Sequence, residues 1–159
     1  MTYLIDGHNL IPHIAGLSLD QLDDEEELLA RLDAFSRQKH CQIEVFFDRG
    51  QTGSQRDIHH NRVNAHFVLP PINADTAIQS RLLGIGRMAR NYIVVTSDHE
   101  VQSHARHTGA RILSSPEFAA LLDRTHSSID KPKNEKSLPS NEVEEWLKLF
   151  QKGRKNNNL

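Results

Sequence analysis

Short apolar runs alternate along the chain with longer segments in which apolar residues recur at helical spacing. The runs predict buried strands over residues 2–5, 43–47, 63–69, 92–96 and 111–113, because a strand covered on both faces is apolar throughout. The helical spacing predicts helices over residues 23–39, 74–89 and 115–122, with two more starting near 98 and at 140. Strands that alternate with helices in this way predict an α/β fold with a mainly parallel central sheet flanked by helices.

Local signals refine three of these segments. Ser115 followed by Pro116 predicts the N-cap and the first position of a helix. Residues 51–61 are polar and lack apolar periodicity, so they are expected to form a loop of about ten residues. In the last helix Trp146 and Phe150 share one stripe, which should pack against the rest of the protein.

The length of 159 residues fits one main core. We predict one compact domain over residues 1–125, a polar and lysine-rich flexible linker over 126–139, and a C-terminal amphipathic helix with a basic tail over 140–159.

Composition and sequence pattern indicate the cellular compartment of the protein. No run approaches the roughly 18 apolar residues of a membrane helix, and the first residues lack the pattern of a signal peptide. A single cysteine, Cys41, falls in an apolar strand and is expected to be a core thiol in a reducing compartment. These features predict a cytoplasmic protein without a membrane contact.

Aspartates stand at the ends of three predicted strands. Asp6, Asp48 and Asp98 follow apolar runs, and Asp75 lies at the start of a helix that packs between two of these strands. Each alone is explained by a turn or a helix cap. Together they are expected at one edge of a parallel sheet, where sites on such sheets form.

Four converging carboxylates repel one another, and a divalent cation would offset that repulsion. Ligands that are all oxygen suit Mg2+ or Mn2+, which keeps several waters and needs only one or two direct carboxylates. Asn9 and Ser97 could orient a water or a phosphate oxygen beside them. The chemistry that follows is hydrolysis of a phosphodiester by a metal-activated water.

A protein with a net charge of −2 needs a local basic surface to hold RNA. His8 lies inside the first aspartate turn and could contact substrate. The residues that follow Asp48 are expected to overhang the same edge and bind phosphates, whereas the acidic segment 20–27 should face away. These predicted RNA-binding residues are Arg49, Arg56, His59, His60 and Arg62.

Four segments in this order resemble the YacP-like branch of the NYN domains, within the PIN-like nucleases: YLIDGHNL at 3–10, FFD at 46–48, ADTAI at 74–78 and VVTSD at 94–98. The resemblance covers residues 2–125 and implies a three-layer PIN-like fold, a magnesium or manganese site and endoribonuclease activity on RNA. By position it implies that Asp6, Asp75 and Asp98 are the central metal carboxylates. It further implies that Asn9 and Ser97 give polar support and that Asp48 is an additional acidic member.

Two other functions would also place an aspartate at the end of the first strand. A haloacid-dehalogenase phosphatase needs a second aspartate two residues after the first, where this chain has His8. A non-catalytic RNA-binding module on the same fold, with the ribosome as a candidate partner, stays open as the alternative, because fold does not fix function.

Overall fold

The structure, a computed structural model, describes residues 1–19, 23–49, 56–129 and 141–155. Its six strands are β1 (Thr2–Asp6), β2 (Gln42–Asp48), β3 (Arg56–His60), β4 (Val63–Val68), β5 (Tyr92–Val95) and β6 (Arg111–Leu113). Its helices are α1 (Gly7–Leu10), α2 (Asp24–Lys39), α3 (Ala74–Ile85), α4 (His99–Thr108), α5 (Ser115–Ile129) and α6 (Asn141–Lys155). Short 3-10 segments at Ile11–His13 and Gly86–Asn91 follow α1 and α3.

The six strands form one sheet in the order β3-β4-β2-β1-β5-β6. All neighbours are parallel except β3, which pairs with β4 in the antiparallel direction. The predicted α/β class with a mainly parallel sheet is confirmed. The order places β1 in the middle of the sheet, between β2 and β5.

Side chains of β1 alternate between two apolar cores, one on each face of the sheet. Ile5 belongs to the core under α2, α5 and α6, whereas Leu4 belongs to the core under α3 and α4. Both side chains are fully buried. Helices on both faces explain why β1 and β5 are apolar over most of their length.

The prediction of a loop over residues 51–61 was wrong for residues 56–60, which form β3. This strand lies at the sheet edge and has one buried apolar residue, Ile58, so its sequence lacks the apolar run of a central strand. Residues 50–55 lie outside the described part of the chain.

The N-cap prediction for Ser115 was wrong by one residue. Ser114 precedes the helix, and its backbone N–H and hydroxyl donate to Glu117 Oε2 at 2.8 and 2.7 Å. The Glu117 N–H lies 3.4 Å from Ser114 Oγ, which completes a reciprocal capping box. Ser115 is thereby free of the capping role and faces inward, fully buried.

Helix α6 packs on the main core, as the apolar stripe predicted. Trp146 is fully buried and its ring meets the His60 ring edge-on at 5.1 Å, while Phe150 meets Phe67 at 5.7 Å. The linker predicted over 126–139 falls partly outside the described residues, and α5 extends through Ile129. The division of the chain at residues 125 and 140 stays a prediction.

Replacing Trp146 with alanine tests whether α6 is part of the cooperative fold. We expect the free energy of unfolding to fall by about 3–5 kcal/mol in urea titrations, as for other buried aromatic truncations. Lys148→Ala, on the exposed side of the same helix, should change it by less than about 0.5 kcal/mol. Equal effects of the two changes would contradict a docked α6.

Candidate active site

Three aspartates end or follow the parallel strands at the centre of the sheet. Asp6 ends β1 and pairs in register with Phe46, Asp48 ends β2, and Asp98 follows β5, whose Val95 pairs with Ile5. Parallel strands put their carboxyl ends at the same edge, so the structure brings all three to one edge of the sheet, which we call the aspartate edge. Asp75 lies in the first turn of α3, which begins at the same edge. Their roles as metal ligands stay predictions.

Each aspartate at the strand ends also orders backbone at a helix start. Asp6 Oδ1 accepts the Asn9 N–H at 3.3 Å, and Asp48 Oδ1 accepts the Ala74 N–H at 2.6 Å. Asp98 Oδ1 accepts two backbone N–H groups of α4, at 2.9 and 3.0 Å. The bonds of each carboxylate use the same oxygen, Oδ1. Capping and cation binding are therefore compatible for these side chains.

The carboxyl groups at this edge lie close enough to perturb one another. Burial, together with the charges of Asp75 and Asp48, raises the pKa of the Asp6 carboxyl to about 7. Burial and then the charge of Asp98 raise the pKa of Asp75. Asp75 Oδ1 is buried and has no hydrogen-bond partner among the residues that the structure describes. The site thus combines excess negative charge with an unsatisfied oxygen.

The raised pKa of Asp6 has a consequence for folding. Between pH values of about 3.8 and about 7, the folded protein keeps a proton on Asp6 that the unfolded chain has released. The stability that Asp6 contributes to the metal-free fold is therefore present in full only below the lower of these values. That contribution is lost as the pH rises from about 3.8 to about 7. A cation at the edge would favour the ionised carboxyl instead.

The donor set fits a hydrated oxygen-seeking cation rather than a closed cage. Within the described ranges, no three His, Cys, Asp or Glu side chains are arranged as a ready-made set of direct ligands. Magnesium usually keeps several waters and takes only one or two carboxylates directly. Asp6 and Asp75, whose side chains interact directly, are the pair that could supply them.

Asn9 ties together the loops around the aspartates. Its Oδ1 accepts the Ser97 N–H at 3.0 Å and the Ser115 hydroxyl, and Ser97 Oγ accepts the Ser115 N–H at 3.2 Å. One side chain therefore joins α1, the segment after β5 and the start of α5. The sequence predicted Asn9 and Ser97 as polar members of the site but missed Ser115, which had been assigned to a helix cap. The Ser114-x-x-Glu117 capping-box pattern was the signal that would have released Ser115 from that role.

His8 and Arg49 share one carboxylate at this edge. Glu25 Oε1 lies 3.0 Å from His8 Nε2, and Glu25 Oε2 lies 3.4 Å from Arg49 Nη2. The Arg49 guanidinium also sits over the Phe67 ring at 4.3 Å. The expectation that the acidic segment 20–27 faces away was therefore wrong at Glu25, the residue that sequence reasoning missed. Residues 20–22 of that segment lie outside the described chain.

The expected position of His59, His60 and Arg62 was also wrong. Strand β3 runs antiparallel to β4, so His60 pairs with Val63, the first residue of β4, at the edge opposite Asp48. Arg62 lies in the turn between them, and His60 pairs with Glu145 at 3.1 Å. The backbone of Arg56 pairs with Phe67 near the aspartate edge, but its side chain is outside the described part of the structure. RNA binding by these four residues stays a prediction.

Comparison with known proteins identifies the class of domain. The family model of the YacP-like NYN domain matches residues 3–154, so the chain belongs to that family, as the four segments predicted. The match runs through α6. A search of curated proteins gave no match.

Two solved structures are similar to this chain over nearly its whole length. The crystal structure of Rae1 (YacP) from Bacillus subtilis is 23% identical and has a TM-score of 0.70, with 98% of this chain and 95% of that chain covered. A tryptophan-to-leucine variant of the same protein is 22% identical with a TM-score of 0.67 and covers 97% of each chain. At these identities the likeness shows the fold.

The length and the hydropathy of a helix together determine whether it could cross a membrane. In the described segments, none of them combines the length and the hydropathy needed to cross a membrane.

Gly7 should be essential for the turn that presents Asp6. A Cβ at this position would lie 2.3 Å from Cε1 of Phe47, whose buried ring stacks on Phe67 and cannot move aside. We expect Gly7→Ala to lower the free energy of unfolding by about 1–3 kcal/mol, measured by urea titration.

Gly84→Ala is the matched control for this prediction. No atom lies within 4 Å of its Cβ position in α3, so alanine should stabilise the helix by up to about 1 kcal/mol. A Gly7→Ala protein as stable as the wild type would show that Phe47 yields easily.

Proposed function

We propose that this protein is a divalent-metal-dependent endoribonuclease that hydrolyses RNA phosphodiester bonds at the aspartate edge. The observation that carries the proposal is the pairing of Asp6 and Asp75. These two carboxyls interact directly, burial and nearby negative charge raise the pKa of each, and one buried oxygen of Asp75 has no hydrogen-bond partner among the described residues. Such a pair is costly unless a cation binds there. Membership of the NYN family supports the reaction class.

Asp6 and Asp75 would hold Mg2+ or Mn2+, with Asp98 and Asp48 near enough to add negative charge. A bound cation would neutralise charge on the phosphate and make a water molecule more acidic. The protein's own residues contribute by holding the carboxylates in place. Asp48 holds the first turn of α3, on which Asp75 lies, and Asp98 fixes its own position by capping α4.

The network around Asn9 has a positioning role in this proposal. It fixes α1, the Ser97 segment and α5 relative to one another, and the Asp98 N–H is held by the buried Thr96 hydroxyl at 3.1 Å. Pre-set geometry of this kind is what phosphoryl transfer requires of a protein, because the carboxylates must not move when the phosphate arrives. RNA is the proposed substrate, the cytoplasm the proposed location and the ribosome a candidate partner.

The central test is replacement of Asp75 and Asp98, one at a time, with asparagine. Each change removes negative charge and keeps the shape, so the fold should persist while cleavage of single-stranded RNA falls by about 10²-fold or more. Asp123→Asn, on α5 with a half-exposed side chain, is the control and should cleave like the wild type.

Thermal unfolding gives a second readout of the same variants. Mn2+ at about 100 times its dissociation constant should stabilise the wild-type protein by about 2.7 kcal/mol, and Asp75→Asn should lose most of that gain. RNA binding without metal-dependent cleavage in the wild type would favour the alternative, a non-catalytic RNA-binding module. A full metal effect in Asp75→Asn would reject the proposed ligand.

Glu25 should compete with RNA for His8 and Arg49. Its carboxylate contacts both of these side chains next to the aspartate edge, where a phosphate would otherwise bind. We expect Glu25→Gln to raise the affinity for single-stranded RNA by roughly twofold to fivefold at low salt, since one partly exposed ion pair is worth up to about 1 kcal/mol. Binding is measured by fluorescence anisotropy in the Asp75→Asn background, where RNA stays intact.

Glu27→Gln is the matched control for Glu25. It lies on the same helix and pairs with Arg31 at 3.1 Å, away from His8 and Arg49. Equal affinity gains from both substitutions would mean that only net charge matters and that Glu25 does not occupy the phosphate position.

A further inference from the structure

Acidic and basic residues are separated along the stretch of chain that forms α3, β5, α4 and β6. Between residues 76 and 116 the sequence has two acidic residues, Asp98 and Glu100, both at the aspartate edge. The same stretch has five arginines and no lysine. One of them, Arg81, is bound by Glu44 through contacts of 2.8 and 2.9 Å. The other four require a separate explanation.

The fold gathers these four arginines at the edge opposite the aspartates. Arg87 and Arg90 lie in the 3-10 segment that leads into β5, and Arg111 is the first residue of β6 beside Ile93. Arg106 lies in the last turn of α4, followed by His107. All five side chains are exposed, and we call them the arginine surface. None of the ion pairs found among the described residues includes a member of it.

The surface has a concave centre and apolar neighbours. A cavity of about 300 Å³ is lined by Arg87 and His107 together with Leu82, Leu83, Gly86 and Thr108, and no carboxylate from the described part of the chain lines it. Leu83 and Met88 are 66% and 62% exposed beside it. Favourable interaction with a helix C-terminus accounts for Arg106 and His107. It does not account for Arg87, Arg90 and Arg111, which lie outside the α-helices.

We propose that the arginine surface is a second RNA-binding surface, which holds the sugar-phosphate backbone of the RNA away from the site of cleavage. The inference rests on the proposed function in taking RNA as the ligand. Arginine, rather than lysine, suits this role because its planar guanidinium bonds phosphate through two N–H groups. Exposed Leu83 and Met88 offer apolar contacts for ribose or bases between the charged groups.

The separation of the two edges sets the length of RNA that can use both. The five residues of β1 span about 17 Å at roughly 3.3 Å per residue, so a strand must cover at least that distance to reach from the aspartates to the arginines. A tetranucleotide is too short to bridge the edges, whereas a long single strand or a folded RNA can do so. The arginine surface should therefore affect long RNA only.

The test is a double variant, Arg87→Gln with Arg111→Gln, compared with Lys39→Gln with Arg124→Gln. The control removes the same charge from exposed positions on α2 and α5, on the other face of the sheet. Binding of a long single-stranded RNA is measured without divalent metal at several salt concentrations. We expect the arginine variant to bind at least tenfold more weakly and its salt dependence to flatten by roughly 0.7 log unit per lost contact. The control should match the wild type.

Cleavage of a tetranucleotide separates this inference from the proposed function. The arginine variant should cleave it at the wild-type rate, because the aspartate edge is intact. Unchanged long-RNA affinity and salt slope in the arginine variant would overturn the inference and leave an acidic protein as the partner to seek. Failure of the wild-type protein to cleave any RNA would overturn the proposed function, while the binding comparison would still decide the role of the arginine surface.

Discussion

Mutual repulsion among carboxylates gathered at one edge of the sheet is the constraint on which the rest of this structure depends. Parallel pairing of β1 with β2 and β5 sends Asp6, Asp48 and Asp98 to one edge, and α3 adds Asp75. The fold offsets part of the repulsion with backbone N–H groups at the starts of α1, α3 and α4. It raises the pKa of the Asp6 carboxyl to about 7 and leaves one oxygen of Asp75 without a hydrogen-bond partner among the described residues. The fold tolerates this cost because the central strands bury apolar side chains on both faces.

Central elements could be predicted from sequence because their residues have one dominant environment. Val94 and Val95 are buried on opposite faces of β5, so the strand is apolar throughout and the aspartate after it is easily placed. Edge strand β3 gives no such signal, since its pairing with β4 rests on backbone bonds and one buried side chain. The direction of β3 determines at which edge of the sheet His60 lies. The apolar pattern of the sequence does not indicate that direction. The loop prediction therefore placed two histidines and Arg62 at the wrong edge.

Within the candidate site, sequence reasoning located residues that follow strands and missed those that arrive from other elements. Glu25 reaches His8 and Arg49 from α2, and Ser115 reaches Asn9 from a position 106 residues further along the chain. Neither contact is encoded in a local pattern. Glu25 lay in an acidic helix start that the helix dipole alone explains, and Ser115 sat beside a proline that fits a cap. In both cases a local explanation was sufficient, so the tertiary contact was not predicted.

The two charged edges follow from one topological fact. Helices that connect parallel strands run antiparallel to the sheet, so α3 and α4 begin at the aspartates and end at the arginine surface. Their N-termini carry partial positive charge toward the carboxylates, and their C-termini carry partial negative charge toward the guanidinium groups. The sheet keeps the opposite charges on the order of 17 Å apart, farther than the Debye length of about 8 Å at physiological salt. Each edge is thus screened from the other, and one can bind cations while the other binds phosphates.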